Sequence, residues 1–345
     1  MTLDFGLMFP FRNPDFARIP WDTLYRNDLD LAVEAERLGY DHVWLTEHHF
    51  VDDGYSPSLL AIAAAIAART ASIRIGTFVL LLPLHDPLRV AEDAATVDLI
   101  SAGRFDLGLG LGYRVAEFTG THVPTEERGA RLQEGATLIQ RLFTEQDITF
   151  DGRFRKLSHV TMIPPAVQKP HPPIWLAARA PKAIDRAARH GFHLAGVGGV
   201  GSAKAYDEAL QKHGRRPEDH SIAQLRAVFV APTREAAWQA AARPLHHMLR
   251  CYAEWFAEAG DLEGDDAGKS ALRTPEEMIA KQQADVFGER AIIGTPEDAI
   301  QAIEDYLARG RTTHLVMATS LPGLPHHLAR DSMRLFARQV MPRFR

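Results

Sequence analysis

The chain has 345 residues, of which 46% are hydrophobic and 24% charged, and its net charge is −5. This is the profile of a soluble enzyme with a packed core, and the balance gives no general pull toward nucleic acid or an anionic membrane. The lone cysteine, Cys251, excludes an internal disulfide and fits a reducing compartment. Its expected role, inside the helix-like run Leu245 to Glu258, is packing, with a reactive thiol as the alternative.

Met1 to Pro10 has no basic region followed by an apolar run, so no signal peptide is expected. The longest apolar run, Leu59 to Ala68, is about half of a membrane span. The expected location is the cytoplasm.

In chain order the sequence alternates strands and helices. Strands are expected at 3–8, 42–45, 73–80, 104–110, 173–178, 192–196, 224–230 and 313–318. Helices are expected near 22–38, 57–70, 87–101, 126–143, 181–190, 202–213, 233–258, 296–309 and 326–339. Gly39, Gly103, Gly191 and Gly310 follow helices and suit left-handed stops. Ser56-Pro57, Asp86-Pro87, Thr274-Pro275 and Thr295-Pro296 each pair a cap residue with proline at the first helical position. Eight such units predict one domain over 1–345, a (β/α)8 TIM barrel, with an open doubly wound sheet as the competing architecture. Two segments interrupt the rhythm. Asp147 to Met162 reads as a hairpin around Asp151-Gly152. Gly260 to Arg290 reads as a mobile excursion over the barrel mouth.

In a barrel of this kind, function sits where strands end. The second strand ends in Thr46-Glu47-His48-His49-Phe50. A Glu beside two His offers a proton carrier and a carboxylate to orient it, or else only a solvated loop. No metal is expected there, because no third ligand is spaced nearby. The third strand runs through Phe78-Val79 into Leu82-Pro83, an apolar wall that either backs a flat ring or packs the core. The fourth carries Gly108, Gly110 and Gly112 on one face, with Tyr113 and Arg114 at the rim. These glycines read as a slot for a ligand. After the fifth strand, Arg179-Ala180-Pro181-Lys182 opens a helix whose free amides and basic pair suit a phosphate, or form a solvated pair. The run Gly196-Val197-Gly198-Gly199-Val200-Gly201 matches G-x-G-x-x-G, but it comes midway through the repeat rather than after a first strand. A flexible glycine loop is expected there instead of a dinucleotide site.

Taken together, His42 to Phe50, Ile73 to Ala91, Glu92 to Glu117, Gln168 to Trp175, Ile293 to Asp298 and the tail from Leu321 resemble the bacterial luciferase-like flavin-dependent monooxygenase family. The resemblance implies an insertion after the seventh strand. It implies reduced FMN, supplied by a separate reductase, which activates O2 through a C4a-peroxyflavin to oxidise a small organic substrate. The F420-dependent hydride-transferring branch and a non-catalytic flavin-binding protein are the alternatives. Carried over by position, His48 is the catalytic histidine, preceded by Glu47 and followed by His49. Phe78-Val79 is a non-prolyl cis peptide behind the flavin ring. Arg128 and the turn Arg179-Ala180 approach the phosphate. Leu111, Ala180 and Ala183 stand where luciferase has polar phosphate ligands, and Arg114, Arg179 or Lys182 are expected to compensate. A homodimer through helices of the first units is also implied.

Overall fold

The computed structural model describes residues 2–196, 199–260 and 272–345. Eight parallel strands form its centre: β1 (Asp4–Phe9), β2 (His42–Leu45), β3 (Arg74–Thr77), β4 (Phe105–Gly110), β5 (Ile174–Ala177), β6 (His193–Gly196), β7 (Ile222–Val230) and β8 (His314–Ala318). Each pairs with its neighbours in sequence, and β8 pairs with β1, Asp4 opposite His314. The sheet therefore closes. Closure rules out the open doubly wound alternative. Of the glycine run at 196–201, Val197 and Gly198 lie outside the described residues.

The strands are mostly apolar on both faces because both are covered. Every residue of β2, β4, β7 and β8 is buried. Inside, Trp44 on β2 fills the space above Gly6 of β1 and Gly76 of β3. A Cβ added at either glycine would lie within 2.4 Å of its ring.

The outer helices are α1 (Trp21–Arg37), α2 (Leu59–Ala67), α3 (Pro87–Ile100), α4 (Arg128–Thr144), α5 (Pro181–His190), α6 (Val200–Lys212), α7 (Arg234–Ala259), α8 (Pro296–Arg309) and α9 (His326–Gln339). Asp86 caps α3 by accepting from Leu88 N at 2.9 Å. Thr295 and Asp298 form a capping box at α8, and Thr274 with Glu277 forms another at the short helix Pro275–Lys281. Two expectations fail. Ser56 does not cap α2, since its hydroxyl donates to Pro10 O and the helix begins at Leu59. Gly310 is extended at φ 177°, whereas Gly39, Gly103 and Gly191 are left-handed.

The hairpin near Asp151 is present, Ile148–Asp151 against Lys156–Val160. Of the 260–290 excursion, Asp261 to Ala271 lies outside the described residues. The remainder forms the helix Pro275–Lys281 and a hairpin of Asp285–Val286 with Glu289–Arg290. Just beyond it, Ile292–Gly294 adds a strand alongside β7 that the sequence reading missed. Among the described residues, no helix is long and apolar enough to cross a membrane.

Candidate active site

The loop after β2 splits its polar side chains between two networks. Successive residues of extended chain point to opposite sides, so Glu47 and His49 go one way and His48 the other. Glu47 Oε1 takes His49 Nε2 and His85 Nε2, each at 2.6 Å, and Oε2 accepts from Leu81 N at 2.7 Å. Burial would raise the Glu47 carboxyl, but these hydrogen bonds hold it down at about 2. Its bond to His49 in turn raises that imidazole. Glu47 thus ties the β2 loop to the segment after Phe78-Val79 and does not orient His48. The third ligand-type residue missing from the sequence neighbourhood, His85, arrives from the start of α3.

The carboxylate at His48 is Glu117, from the short helix Val115–Gly120. Glu117 Oε1 lies 2.8 Å from His48 Nδ1 and accepts from His49 N at 2.9 Å. Arg114 reaches the same oxygen at 3.4 Å and also donates to His49 O. Glu117 is fully buried, so an unpaired charge there would be costly, and Arg114 supplies the balance. Arg114 Nη1 is accordingly spent inside the scaffold. Burial pushes the His48 imidazole down, and the hydrogen bond to Glu117 opposes that push.

Around His48 stands an aromatic wall. Tyr55, Trp255, Tyr113 and Tyr252 lie at ring separations of 4.7, 5.0, 5.5 and 6.2 Å. Tyr113 OH stands 3.4 Å from His48 Nε2, and its ring stacks on Phe256. Trp255, Tyr252 and Phe256 belong to the C-terminal half of α7. That half is fastened to the barrel by a polar latch. Asp53 accepts from Arg12 Nε at 2.9 Å and pairs with His247 Nε2 at 2.7 Å. Arg12 Nη2 reaches Cys251 Sγ at 3.1 Å. Cys251 is therefore buried but not merely packed. The hydrogen bond that His247 donates to Asp53 lifts its imidazole to about 9, and the thiol is lowered because His247 and Arg12 outweigh its burial.

The peptide Phe78-Val79 is cis. The glycines of β4 do not leave a slot beside it. A Cβ at Gly108 would fall 1.9 Å from Thr77 O, and one at Gly110 would fall 2.2 Å from Val79 Cγ2. The missing side chain at Gly108 admits the Thr77 backbone, and that at Gly110 admits the Val79 side chain. Gly112, at φ +72°, faces Phe118. Arg128 donates to Gly112 O at 3.5 Å, which brings it to the end of β4. Arg179 and Ala180 stand exposed at the start of α5, with no side-chain cap on that helix.

Of the expected site residues, the structure brings His48, Glu47, His49 and Tyr113 together at the ends of β2 and β4, and the expected cis peptide is present. The sequence reading missed Glu117, Asp53, Tyr55 and Trp255, whereas Arg12, His247, Cys251 and Tyr252 fall in the segments Phe11 to Trp21 and His246 to Tyr252, expected from the sequence to shape the substrate pocket. The usable signal for Glu117 was a carboxylate three residues after Arg114 at a strand end.

A model of the luciferase-like monooxygenase family matches residues 3–313. The chain belongs to that family. It is 28% identical over 335 residues to the oxygenase component of the flavin-dependent trigonelline monooxygenase of Acinetobacter baylyi, covering 93% of this chain and 90% of that one. It is 27% identical to the F420-dependent glucose-6-phosphate dehydrogenase of Amycolatopsis mediterranei, covering 93% and 95%. Among solved structures, monooxygenase RslO1 from Streptomyces bottropensis superposes with a TM-score of 0.84 at 27% identity, covering 99% of this chain and all of that one.

Proposed function

We propose that this family member is a two-component monooxygenase of the cytoplasm, which takes reduced FMN from a separate reductase and oxidises a small organic substrate with O2. The observation that carries the reading is the buried His48–Glu117 pair within an aromatic wall at the C-terminal mouth of the barrel. Bound reduced flavin would supply the electrons that activate O2. The chain's own residues do the rest. Phe78-Val79, drawn flat against β4 by Gly108 and Gly110, offers a wall for the face of a planar ring. Arg128 and the uncapped α5 start at Arg179-Ala180 hold the phosphate. His48 passes a proton through Nε2, while Glu117 fixes the ring through Nδ1. Tyr55, Tyr252 and Trp255 exclude water. Glu117 Oε2 and Arg114 Nε are buried without a protein partner, so polar capacity remains for a ligand beside His48. The aromatic wall favours a planar, mostly apolar substrate, and the relative acting on trigonelline supports the oxygenase reading. The protein works as a homodimer.

The F420-dependent relative favours a second reading, hydride transfer with that deazaflavin. One experiment separates the two. The protein is mixed with reduced FMN without oxygen, then with O2, and the near-ultraviolet spectrum is followed. A species that outlives the reoxidation of free reduced FMN supports the oxygenase. Reoxidation at the free rate, together with anaerobic hydride exchange with F420, overturns it.

A further inference from the structure

Three sets of residues bring metal-ligand atoms within 4.8 Å of one another: Glu47, His49 and His85; Asp53, His247 and Cys251; and Asp4, His42 and His314. The first two already hold positive charge or donated protons. Glu47 Oε1 lies at hydrogen-bond distance from two imidazoles, and Arg12 sits between Asp53 and Cys251. The third is different. Its members stand at the N-terminal rim, where β8, β1 and β2 begin, at the opposite end of the barrel from His48. The nearby cations are engaged elsewhere, Arg345 on Asp41 and Arg74 on Asp106.

The hydrogen bonds of Thr313 decide how His314 presents itself. Thr313 Oγ1 accepts from Ile222 N at 2.8 Å and stands 3.0 Å from Ile222 O, to which it can donate its one proton. With the proton so placed, it acts as acceptor toward His314 Nδ1, 2.8 Å away. The His314 proton is then on Nδ1, and Nε2 carries a lone pair. That nitrogen stands 3.2 Å from Asp4 Oδ2. A lone pair facing a carboxylate repels it unless a cation or a proton lies between them. The His42 ring meets the His314 ring edge-on at 4.9 Å. His42 Nδ1 is buried with no partner, which is costly unless something binds there.

We propose that Asp4, His42 and His314 bind one divalent transition-metal ion, of the class that zinc represents, across the seam where the last strand meets the first. Two imidazoles and one carboxylate suit zinc, cobalt or nickel and not magnesium or calcium, which prefer all-oxygen shells. The hydrogen bond from His314 Nδ1 to Thr313 is the outer-shell contact that metal-bound histidines commonly make. The site does not depend on the flavin reading, and its failure would leave that reading untouched.

The test uses tag-free full-length protein stripped with a chelator and titrated with Co2+, whose visible absorption reports nitrogen ligation. The expected result is saturation at one ion per chain, with a rise in melting temperature. Asp4→Asn and His314→Gln should each weaken binding by more than the ~10–100-fold that loss of an outer-shell contact costs. Thr313→Val should fall within that smaller range. His85→Gln should bind like the parent. Circular dichroism confirms that each variant is folded, and Asp4 is half-exposed, so Asp4→Asn should fold. Absence of saturable absorption would mean that a proton fills the gap, and would overturn the proposal. So would absorption that survives both Asp4→Asn and His314→Gln, or that disappears in His85→Gln.

Discussion

Gly110→Ala offers a direct test of the claim that the β4 glycines make room for the Thr77–Val79 segment and not for a ligand. The added Cβ would stand 2.2 Å from Val79 Cγ2. Val79 must then shift within a packed strand end, which costs about 1–3 kcal/mol. Val79→Ala removes the offending methyl. Alone it should cost about 1 kcal/mol, since the side chain is only partly buried. Combined, the two changes should cost little more than Val79→Ala alone, giving a coupling of roughly 1–3 kcal/mol in a double-mutant cycle. Gly108→Ala is the control. Its Cβ would meet Thr77 O at 1.9 Å, a backbone atom that no side-chain trimming can move, so Val79→Ala should not rescue it. Denaturant unfolding of the four proteins gives the free energies. Additivity of Gly110→Ala and Val79→Ala within about 0.5 kcal/mol would refute the packing argument and restore the slot.

Three further outcomes are expected. Glu117→Gln should leave the protein folded and lower turnover by about 10²–10⁴-fold, whereas unchanged turnover would remove the His48 pair from the mechanism. Glu117→Ala should in addition destabilise by roughly 3–5 kcal/mol, because Arg114 is left buried without its carboxylate; chemical unfolding reads this. The latch should make stability pH-dependent. His247 has a folded value of about 9 against an ordinary 6.5, so its contribution is complete below about pH 6.5 and is lost as pH rises through 9. Asp53, Arg12 and Cys251 are the groups that face it. Unfolding measured across that window should decline in the parent and run flatter in His247→Gln, and parallel curves would sink the assignment.

The fold was legible because its signals are local. Helix stops at Gly39, Gly103 and Gly191, caps at Asp86 and Thr295, and uniformly apolar strands are each decided within a few residues. The site was legible only where one segment carries it. His48 could be placed from its own loop, and the cis peptide from the family resemblance of its segment. Glu47 was assigned to His48 because it precedes it, yet the alternation of extended chain sends neighbours to opposite sides. The carboxylate that does meet His48 lies 69 residues away. The same holds for Arg12 and His247, which meet at Asp53 only after the barrel closes. The strand Ile292–Gly294 was lost inside a charged segment because three residues give no measurable period.

The placement of Trp255 and Tyr252 has a kinetic consequence. His48 is only 5% exposed; of the four rings that cover it, Trp255 and Tyr252 ride on one helix fastened by four polar side chains. Movement of the end of α7 would uncover the His48 face that Trp255 and Tyr252 cover. We therefore expect release of that helix, not proton transfer, to pace the catalytic cycle. Turnover should fall as solvent viscosity rises, and Asp53→Asn, which loosens the fastening, should weaken that dependence. Insensitivity of the parent to viscosity would place the slow step in the chemistry.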